Sequence, residues 1–387
     1  MAGGPFEGPW RGPRVRPVHR ALCKKHPCFL KSPPGAFERS TRLGALVAFC
    51  FLAKPLSVFA ATGEYQWVLP RGFPVPAVPA DNPMSDAKVV LGRRLFFESR
   101  LSVTGRYSCA SCHQPARAFS DGLKVAVGAT GESTSTNAMS LTNVAYNMSF
   151  GWSTPAVHSL EDQMRRPMLN DHPVEMGLKG REREVVAQLV ADGAWRAAFT
   201  AAFPEAAGRF EFDHVIKSIA AFERTLISGH SPFDEYVFNG RHDALSEAAK
   251  RGMALFYSQR VGCGGCHSGF NFAGAWRDAQ GATAEPSFAN NGVGAQAVRV
   301  PTLRNVSQTG PYMHDGSLST LAAVLAHYER AGLRENAAND QEPGRALHPF
   351  TLTGAQRREL IAFLQSLTDP TFTAGFDGKR TDSVSRR

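Results

Sequence analysis

The stretch Cys109-Ala110-Ser111-Cys112-His113 decides the fold, and it recurs as Cys263-Gly264-Gly265-Cys266-His267. Both copies follow the pattern C-x-x-C-H, which is the attachment site of a c-type haem. The two cysteines form thioethers with the haem vinyl groups, and the adjacent histidine ligates the iron. A single C-x-x-C pair is also compatible with a disulfide, a redox-active dithiol or half of a zinc site. Two copies in a similar local frame favour two covalently bound c-type haems.

Basic residues are concentrated at the start of the 387-residue chain. Residues 1–60 carry ten Lys or Arg and two acidic residues, so the net charge of +9 falls to +1 over the rest. They end in an apolar run that begins at Leu43 and closes on a weak cleavage signal, Val58-Phe59-Ala60. We predict a signal peptide over 1–60 and a periplasmic protein, with a membrane anchor as the alternative. Without the leader, neither a nucleic-acid-binding patch nor stable membrane insertion is expected.

The cysteine content agrees with export and haem attachment. Cys23, Cys28 and Cys50 fall within the predicted leader, and the other four cysteines are those of the two motifs. No thiol is therefore left for a structural disulfide after cleavage, and covalent haem attachment takes place outside the cytoplasmic membrane.

A unit made of a helix, a loop and a haem motif occurs twice. Ser85 and Ser246 are predicted N-caps of helices that run to about residues 97 and 257. Glycines at 92 and 252 hold matching places in the two helices. Each unit closes with an amphipathic helix, predicted at about 213–228 and 354–367.

The segments around these helices predict the domain organisation. Stretches 114–160 and 268–320 are rich in Gly, Ser, Thr and Asn and predict long irregular loops. The predicted segments are a Pro-rich extended arm at 61–83, an N-terminal haem domain at 84–240, a C-terminal haem domain at 241–372 and a disordered tail at 373–387.

Further short motifs accompany the two haem sites. They are Phe119-Ser120-Asp121-Gly122, Asn137, Asn143, Asn147, Trp152, Leu160-Glu161-Asp162-Gln163, Pro173-Val174-Glu175-Met176-Gly177, Pro301-Thr302-Leu303-Arg304-Asn305, Pro311-Tyr312-Met313-His314-Asp315-Gly316 and His327-Tyr328. With these motifs the chain resembles the bacterial diheme cytochrome c peroxidases and MauG-like enzymes over most of residues 80–370. The resemblance implies a mainly α fold of two cytochrome c-like haem domains packed face to face with long irregular loops. The arm and the 161–177 stretch look most like MauG-like enzymes associated with methanobactin operons.

At the first haem, on His113, the resemblance implies the site of peroxide chemistry. No histidine occurs between Gln114 and Asn147, where the peroxidases place a closing ligand, so the open iron face resembles that of MauG. His158 and His172 follow later and are expected to be exposed. The resemblance assigns proton transfer to Glu175, hydrogen bonding to Gln163 and pocket shape to Pro167. Matching Glu175 to the family pattern needs a two-residue insertion before it. The alternative interpretation is that Glu175 is a surface carboxylate.

Trp152 takes the family position between the two haems. An indole there implies an aromatic stepping-stone for electrons, although a Trp packed on a porphyrin edge has the same sequence signature. The family pattern Trp-Asp-Gly-Arg is replaced by Trp152-Ser153-Thr154-Pro155, which departs from it after the indole.

At the second haem, on His267, the resemblance places a tyrosine, Tyr328, where the peroxidases have a methionine ligand. A phenolate favours high oxidation states of iron. His327, Met313 and His314 are the competing ligands. The resemblance also implies one calcium ion bound by the Asn137 side chain and the Thr309 and Pro311 carbonyls. Arg304 is expected to pair with a haem propionate or to form a surface salt bridge.

Three functions follow from these assignments. The first is an oxidoreductase of MauG type, in which hydrogen peroxide yields a bis-Fe(IV)-like state that oxidises a partner protein's residue, a tryptophan, by long-range electron transfer. The second is a cytochrome c peroxidase supplied with electrons by a small cytochrome or cupredoxin. The third is a non-enzymatic diheme electron carrier. The missing loop histidine and Tyr328 favour the first, and Glu175 with Gln163 favours an enzyme.

Overall fold

The computed structural model describes residues 65–284, 287–294, 296–331, 347, 349–374 and 376. The predicted leader at 1–60 lies outside these residues, as do the first four residues of the arm and most of the tail. Within the described residues, no helix is both long and apolar enough to span a membrane.

Helices dominate the described chain. The helices are α1 Asp86–Phe96, α2 Cys109–Cys112, α3 Leu160–Leu169, α4 Glu182–Ala191, α5 Gly193–Ala202, α6 Phe212–Arg224, α7 Pro232–Val237, α8 Glu247–Phe256, α9 Cys263–Cys266, α10 Leu321–Ala331 and α11 Gly354–Gln365. Two short antiparallel hairpins pair β1 Arg277–Asp278 with β2 Gly281–Ala282 and β3 Phe288–Ala289 with β4 Val298–Arg299. The mainly helical fold with long irregular loops is therefore confirmed.

The helix boundaries follow from local sequence signals. The Ser85 hydroxyl accepts a hydrogen bond from the Lys88 N–H at 3.2 Å, and the Ser246 hydroxyl accepts one from Ala249 at 3.1 Å. These bonds satisfy N–H groups that a helix start leaves unpaired. Both serine caps are where the sequence predicts them.

Each predicted repeat packs its first helix against its last. A β-carbon on Gly92 of α1 would lie 1.8 Å from the Ser218 carbonyl oxygen of α6. One on Gly252 of α8 would lie 1.9 Å from the Glu359 carbonyl oxygen of α11. Only glycine permits this approach of two helix backbones. The repeated glycines therefore set the spacing between the first and the last helix of each repeat.

The buried apolar side chains form two cores. The first is built on α1 and α3 to α6, with Leu91, Phe96, Ile219 and Phe222 at its centre. The second is built on α7, α8, α10 and α11, and contains the aromatic cluster Phe233, Phe256, Phe272 and Phe363.

The end of the described chain returns to the first core. The rings of Phe372 and Phe376 lie 5.6 and 5.2 Å from that of Phe119. The predicted tail thus contacts the first core as far as Phe376. The boundaries at 84–240 and 241–372 remain predictions.

Replacing Gly252 with alanine should destabilise the protein by roughly 1–3 kcal/mol or more, because the added methyl meets backbone rather than a movable side chain. Gly193→Ala is the matched control, since Gly193 begins α5 and has open space around it. Urea unfolding of the holoprotein measures both. Equal stability of the two variants would contradict the close-packing explanation.

Candidate functional site

The first haem motif forms one helical turn, and the loop after it fixes the histidine ring. His113 Nδ1 lies 3.0 Å from the Phe119 carbonyl oxygen. A carbonyl only accepts, so Nδ1 donates and Nε2 keeps its lone pair for a metal. Burial lowers the pKa of His113, which keeps the ring neutral as a metal ligand must be.

The second motif repeats this arrangement. His267 Nδ1 lies 2.9 Å from the Phe272 carbonyl oxygen, and burial lowers the pKa of His267 as well. Phe119 and Phe272 both adopt positive φ, +61° and +52°, which is unusual for bulky residues and turns their carbonyls toward the rings. Both histidines are thus held in the same tautomer.

The motif cysteines do not form disulfides. The described part of the chain also contains no group of three or more His, Cys, Asp or Glu side chains that could hold a metal ion together. The free thiols do not favour the disulfide alternative for the two motifs.

A cavity of about 230 Å³ lies against the second motif, and Cys263, Cys266, His267 and Tyr328 line it. Burial raises the pKa of Tyr328, and the two cysteine thiols add to the rise, so the phenol is close to the motif. The apolar part of the wall includes Phe256, Leu325, Phe350, Leu360 and Leu364. Apolar walls with an imidazole and two thiols on one side fit a covalently attached haem.

The other candidate iron ligands at the second motif are His327, Met313 and His314, and each makes a different contact. His327 Nε2 lies 2.7 Å from the Asn291 carbonyl oxygen. Met313 lines the cavity, but its sulfur lies 3.5 Å from the Asn291 amide nitrogen, which donates to it. The His314 ring lies 6.5 Å from that of Trp152.

Trp152 lies between two matching segments of the chain. Its indole Nε1 donates to the Asn137 carbonyl at 2.8 Å, and its own carbonyl accepts from the Arg299 N–H at 2.7 Å. Segments 137–143 and 299–305 correspond, because each ends in an Asn of positive φ, Asn143 at +55° and Asn305 at +59°, before a turn of 3₁₀ helix. Trp152 also lines the cavity of the second motif.

These two segments also reach the haem-motif histidines. A hydrogen bond to the Met139 backbone raises the pKa of His113 and so partly offsets the lowering by burial. A hydrogen bond to the Pro301 backbone has the same effect on His267. Met139 and Pro301 occupy equivalent places in the repeat. A hydrogen-bonded path through Trp152 therefore connects the surroundings of both histidines.

Glu175 lies close to the first motif. The loop that carries it is tied to α3 by a 2.9 Å bond from the Met176 N–H to the Pro167 carbonyl. Burial raises the pKa of Glu175, whose charge in turn raises the pKa of Cys112. Gln163, one turn before Pro167 on α3, has a buried Oε1 without a hydrogen-bond partner. The structure thus brings the predicted acid-base residue and its predicted neighbours to one region.

The structure places the two later histidines at the surface and the predicted calcium ligands together. His158 and His172 are exposed, as expected. Asn137, Thr309 and Pro311 all line the cavity of the second motif, so the chain brings the three predicted oxygen donors to one place. Calcium binding itself stays a prediction.

Arg304 is not a surface residue, and that alternative is wrong. Its side chain is fully buried in an ion pair with Asp234 at 2.9 Å, and its Nε and Nη2 atoms donate to the Phe270 carbonyl at 2.9 and 2.6 Å. The guanidinium also stacks 4.7 Å from the Phe73 ring centre. These contacts come from distant parts of the chain. Pairing of Arg304 with a propionate stays a prediction.

Two residues at this site were not assigned a role from sequence. Asp121 is buried beside His113, with Oδ1 accepting from the Leu123 N–H at 2.9 Å and Oδ2 without a partner. Arg299 is buried on the wall of the second cavity. The signal for Arg299 was the repeat itself, which aligns it with Asn137.

Comparison with known proteins agrees with this geometry. A sequence profile described as di-haem cytochrome c peroxidase matches residues 86–243. The methylamine utilization protein MauG of Methylorubrum extorquens is 37% identical over 298 residues, covering 75% of this chain and 80% of the relative. The chain belongs to the di-haem cytochrome c peroxidase family. The predicted resemblance to MauG-like proteins is therefore confirmed.

Other family members are also similar. Cytochrome c551 peroxidase of Pseudomonas aeruginosa is 30% identical over 302 residues, covering 75% of this chain and 85% of the relative. A solved MauG-like protein associated with microbial copper homeostasis is 35% identical, with a TM-score of 0.74, covering 80% of this chain and 97% of that one. The protein is a peroxide-reactive diheme oxidoreductase with the cytochrome c-like haem fold of its family.

Replacing Asp234 with asparagine should destabilise the protein by about 3–5 kcal/mol, because it leaves the buried Arg304 charge without its counter-ion. Asp243→Asn is the control, since Asp243 is exposed and lies 3.9 Å from exposed Arg241. Such a pair contributes about 0–1 kcal/mol. Denaturant unfolding of both variants checks this, and a loss below about 1 kcal/mol at Asp234 would contradict the assigned burial of the pair.

Proposed function

We propose that this protein is a MauG-type oxidase that uses hydrogen peroxide to withdraw electrons from a tryptophan of a partner protein. The haems, attached covalently at Cys109 and Cys112 and at Cys263 and Cys266, supply redox-active iron when bound. The observation that carries the proposal is Tyr328, which lines the cavity of the second motif while His327 bonds to a backbone carbonyl.

The surroundings of His113 support peroxide chemistry at the first motif. Cleavage of the O–O bond needs a group that takes a proton from one peroxide oxygen and gives it to the other. Glu175 is suited to this task, because burial raises its pKa and brings proton uptake closer to neutral pH. The unpartnered Gln163 Oε1 would accept a hydrogen bond from the substrate.

Tyr328 supports storage of oxidising equivalents rather than rapid reduction of the second iron. A phenolate oxygen is a harder and more electron-donating ligand than a methionine sulfur, and it favours the higher oxidation states of iron. Met313, the sulfur donor on the same wall, already accepts a hydrogen bond from Asn291. We therefore propose that the Tyr328 phenol would bind the iron of the second haem when the haem is present.

Trp152 supports electron exchange between the two motifs. Its indole is fixed by the hydrogen bond to Asn137 and its backbone by the bond from Arg299, so the ring holds one position. A fixed aromatic ring needs little rearrangement when it gains or loses an electron. We propose that Trp152 would carry electrons between the two motifs when both haems are bound.

We further propose a periplasmic location and one structural calcium ion. The predicted leader and the covalent haem motifs support the location. Oxygen donors at Asn137, Thr309 and Pro311 around one cavity support the ion, because calcium prefers carbonyl and amide oxygens.

Glu175→Gln should slow the reaction of the ferric protein with hydrogen peroxide by roughly 10²–10⁴-fold, because the amide cannot move the proton. The wild-type rate should fall as the pH drops through the raised pKa of Glu175, since the protonated carboxyl no longer accepts a proton. The variant should lack this pH dependence. Stopped-flow absorbance measures the rates.

Glu205→Gln is the control for that variant, since Glu205 is exposed and remote in sequence from both motifs. Its rate and pH profile should equal those of the wild type. A Glu175→Gln variant with a wild-type rate would remove the proton-transfer role and leave the ligand assignment untouched.

Tyr328→Phe should change the ferric low-spin spectrum of the second haem and abolish long-lived storage of oxidising equivalents after peroxide addition. Ferrocyanide titration, several minutes after mixing with one equivalent of peroxide, counts the equivalents retained. The wild type should retain two per chain. Rapid decay in the wild type, with fast turnover of reduced cytochrome c, would instead identify a plain peroxidase.

A further inference from the structure

Arg299 is a buried cation on the wall of the second cavity. It lies in β4 opposite Phe288, and only 7% of its surface is exposed. Its backbone N–H is used by the Trp152 carbonyl. Its side-chain Nη2 donates to the Met139 sulfur at 2.9 Å, and its Nε has no hydrogen-bond partner.

Within the part of the chain that the structure describes, Arg299 has no acidic side chain paired with its charge, unlike the other buried arginines. Of the three buried arginines among the described residues, Arg224 pairs with Glu161 at 2.7 Å and Arg304 pairs with Asp234 at 2.9 Å. Burial lowers the pKa of Arg299 to about 10, and no acidic side chain of the described residues offsets that effect. Burying a charge without a partner costs free energy of folding, so we expect an anion beside Arg299.

The cavity indicates what supplies that anion. Arg299 lines it together with Cys263, Cys266 and His267, the attachment site of the second haem. A haem carries two propionates on an otherwise apolar ring, and a guanidinium binds a carboxylate through two parallel N–H bonds. The corresponding residue of the first repeat is Asn137, which is neutral, so the cation occurs in only one of the two matching segments.

We propose that the Arg299 guanidinium is the counter-ion of a propionate of the haem attached at Cys263 and Cys266. The proposal rests on the second haem of the proposed function. The ion pair raises the reduction potential of that haem, because a positive charge beside the propionate opposes the ferric state. Arg299 is a positioning residue, since it acts through the propionate.

The test is spectroelectrochemical titration of the holoenzyme with Arg299→Gln. The ferric-to-ferrous equilibrium of the second haem should shift toward ferric about tenfold, which is about 59 mV for one electron. The first haem should move less. Arg299→Lys should retain most of the wild-type potential, because it keeps the charge. Arg251→Gln, on the surface and paired with Glu359, changes the net charge equally and should leave both potentials unchanged.

Resonance Raman bands of the haem propionates give a second readout. Both Arg299 variants should shift the propionate bending band of the second haem, because neither side chain can form two parallel N–H bonds. If Arg299→Gln fails to accumulate, Arg299→Lys decides by this band. An unmoved band, or a potential change confined to the first haem, would overturn the proposal.

Haem quantification separates this inference from the proposed function. Two covalent haems per wild-type chain with an unmoved potential in Arg299→Gln would contradict the ion pair alone. A wild-type chain without haem at Cys263 and Cys266 would contradict the proposed cofactor and the ion pair together.

Discussion

The orientation of two imidazole rings is the constraint on which the rest of the site depends. In each motif the loop after the histidine turns a phenylalanine into the left-handed region, so that its carbonyl meets Nδ1 of the ring. The other nitrogen, Nε2, then has one direction in which to bind a metal. That direction would decide which side chains face a cofactor bound at each motif. Glu175 lies near the first motif and Tyr328 near the second.

The two halves share a framework but differ in charge and donor type. Backbone features repeat closely: the glycine contacts between helices, the positive-φ asparagines and the carbonyls beside each histidine. The side chains that face the motifs do not repeat. Two carboxyls with raised pKa values, buried Asp121 and half-buried Glu175, lie around the first motif, whereas Tyr328 and Arg299 lie around the second. One fold thereby presents carboxyl groups at one motif and a phenol with a cation at the other.

Much of the fold could be predicted because its signals are local. A serine at a helix start bonds to an N–H three residues away, and a glycine in the same place of two helices marks a close approach. The packing of Phe372 and Phe376 on Phe119 could not be predicted, because it joins residues far apart in the sequence. Helices α4 and α5 lie outside the repeat and were not predicted, although α5 has a local start signal, the Asp192 Oδ1 that accepts from the Ala194 N–H at 2.8 Å.

The sequence by itself determined that two cysteines and a histidine lie within five residues, a spacing that predicts covalent haem attachment from local geometry alone. It also limited the candidate ligands of the second iron to Tyr328, His327, Met313 and His314. Only the tertiary structure decided how buried charges pair. Arg304 pairs with Asp234, which lies 70 residues away in the sequence, whereas Arg299 lines the cavity without an acidic partner among the described residues. The counter-ion of a buried arginine is set by distance in space, and no local sequence pattern records the cost of burying a charge without one.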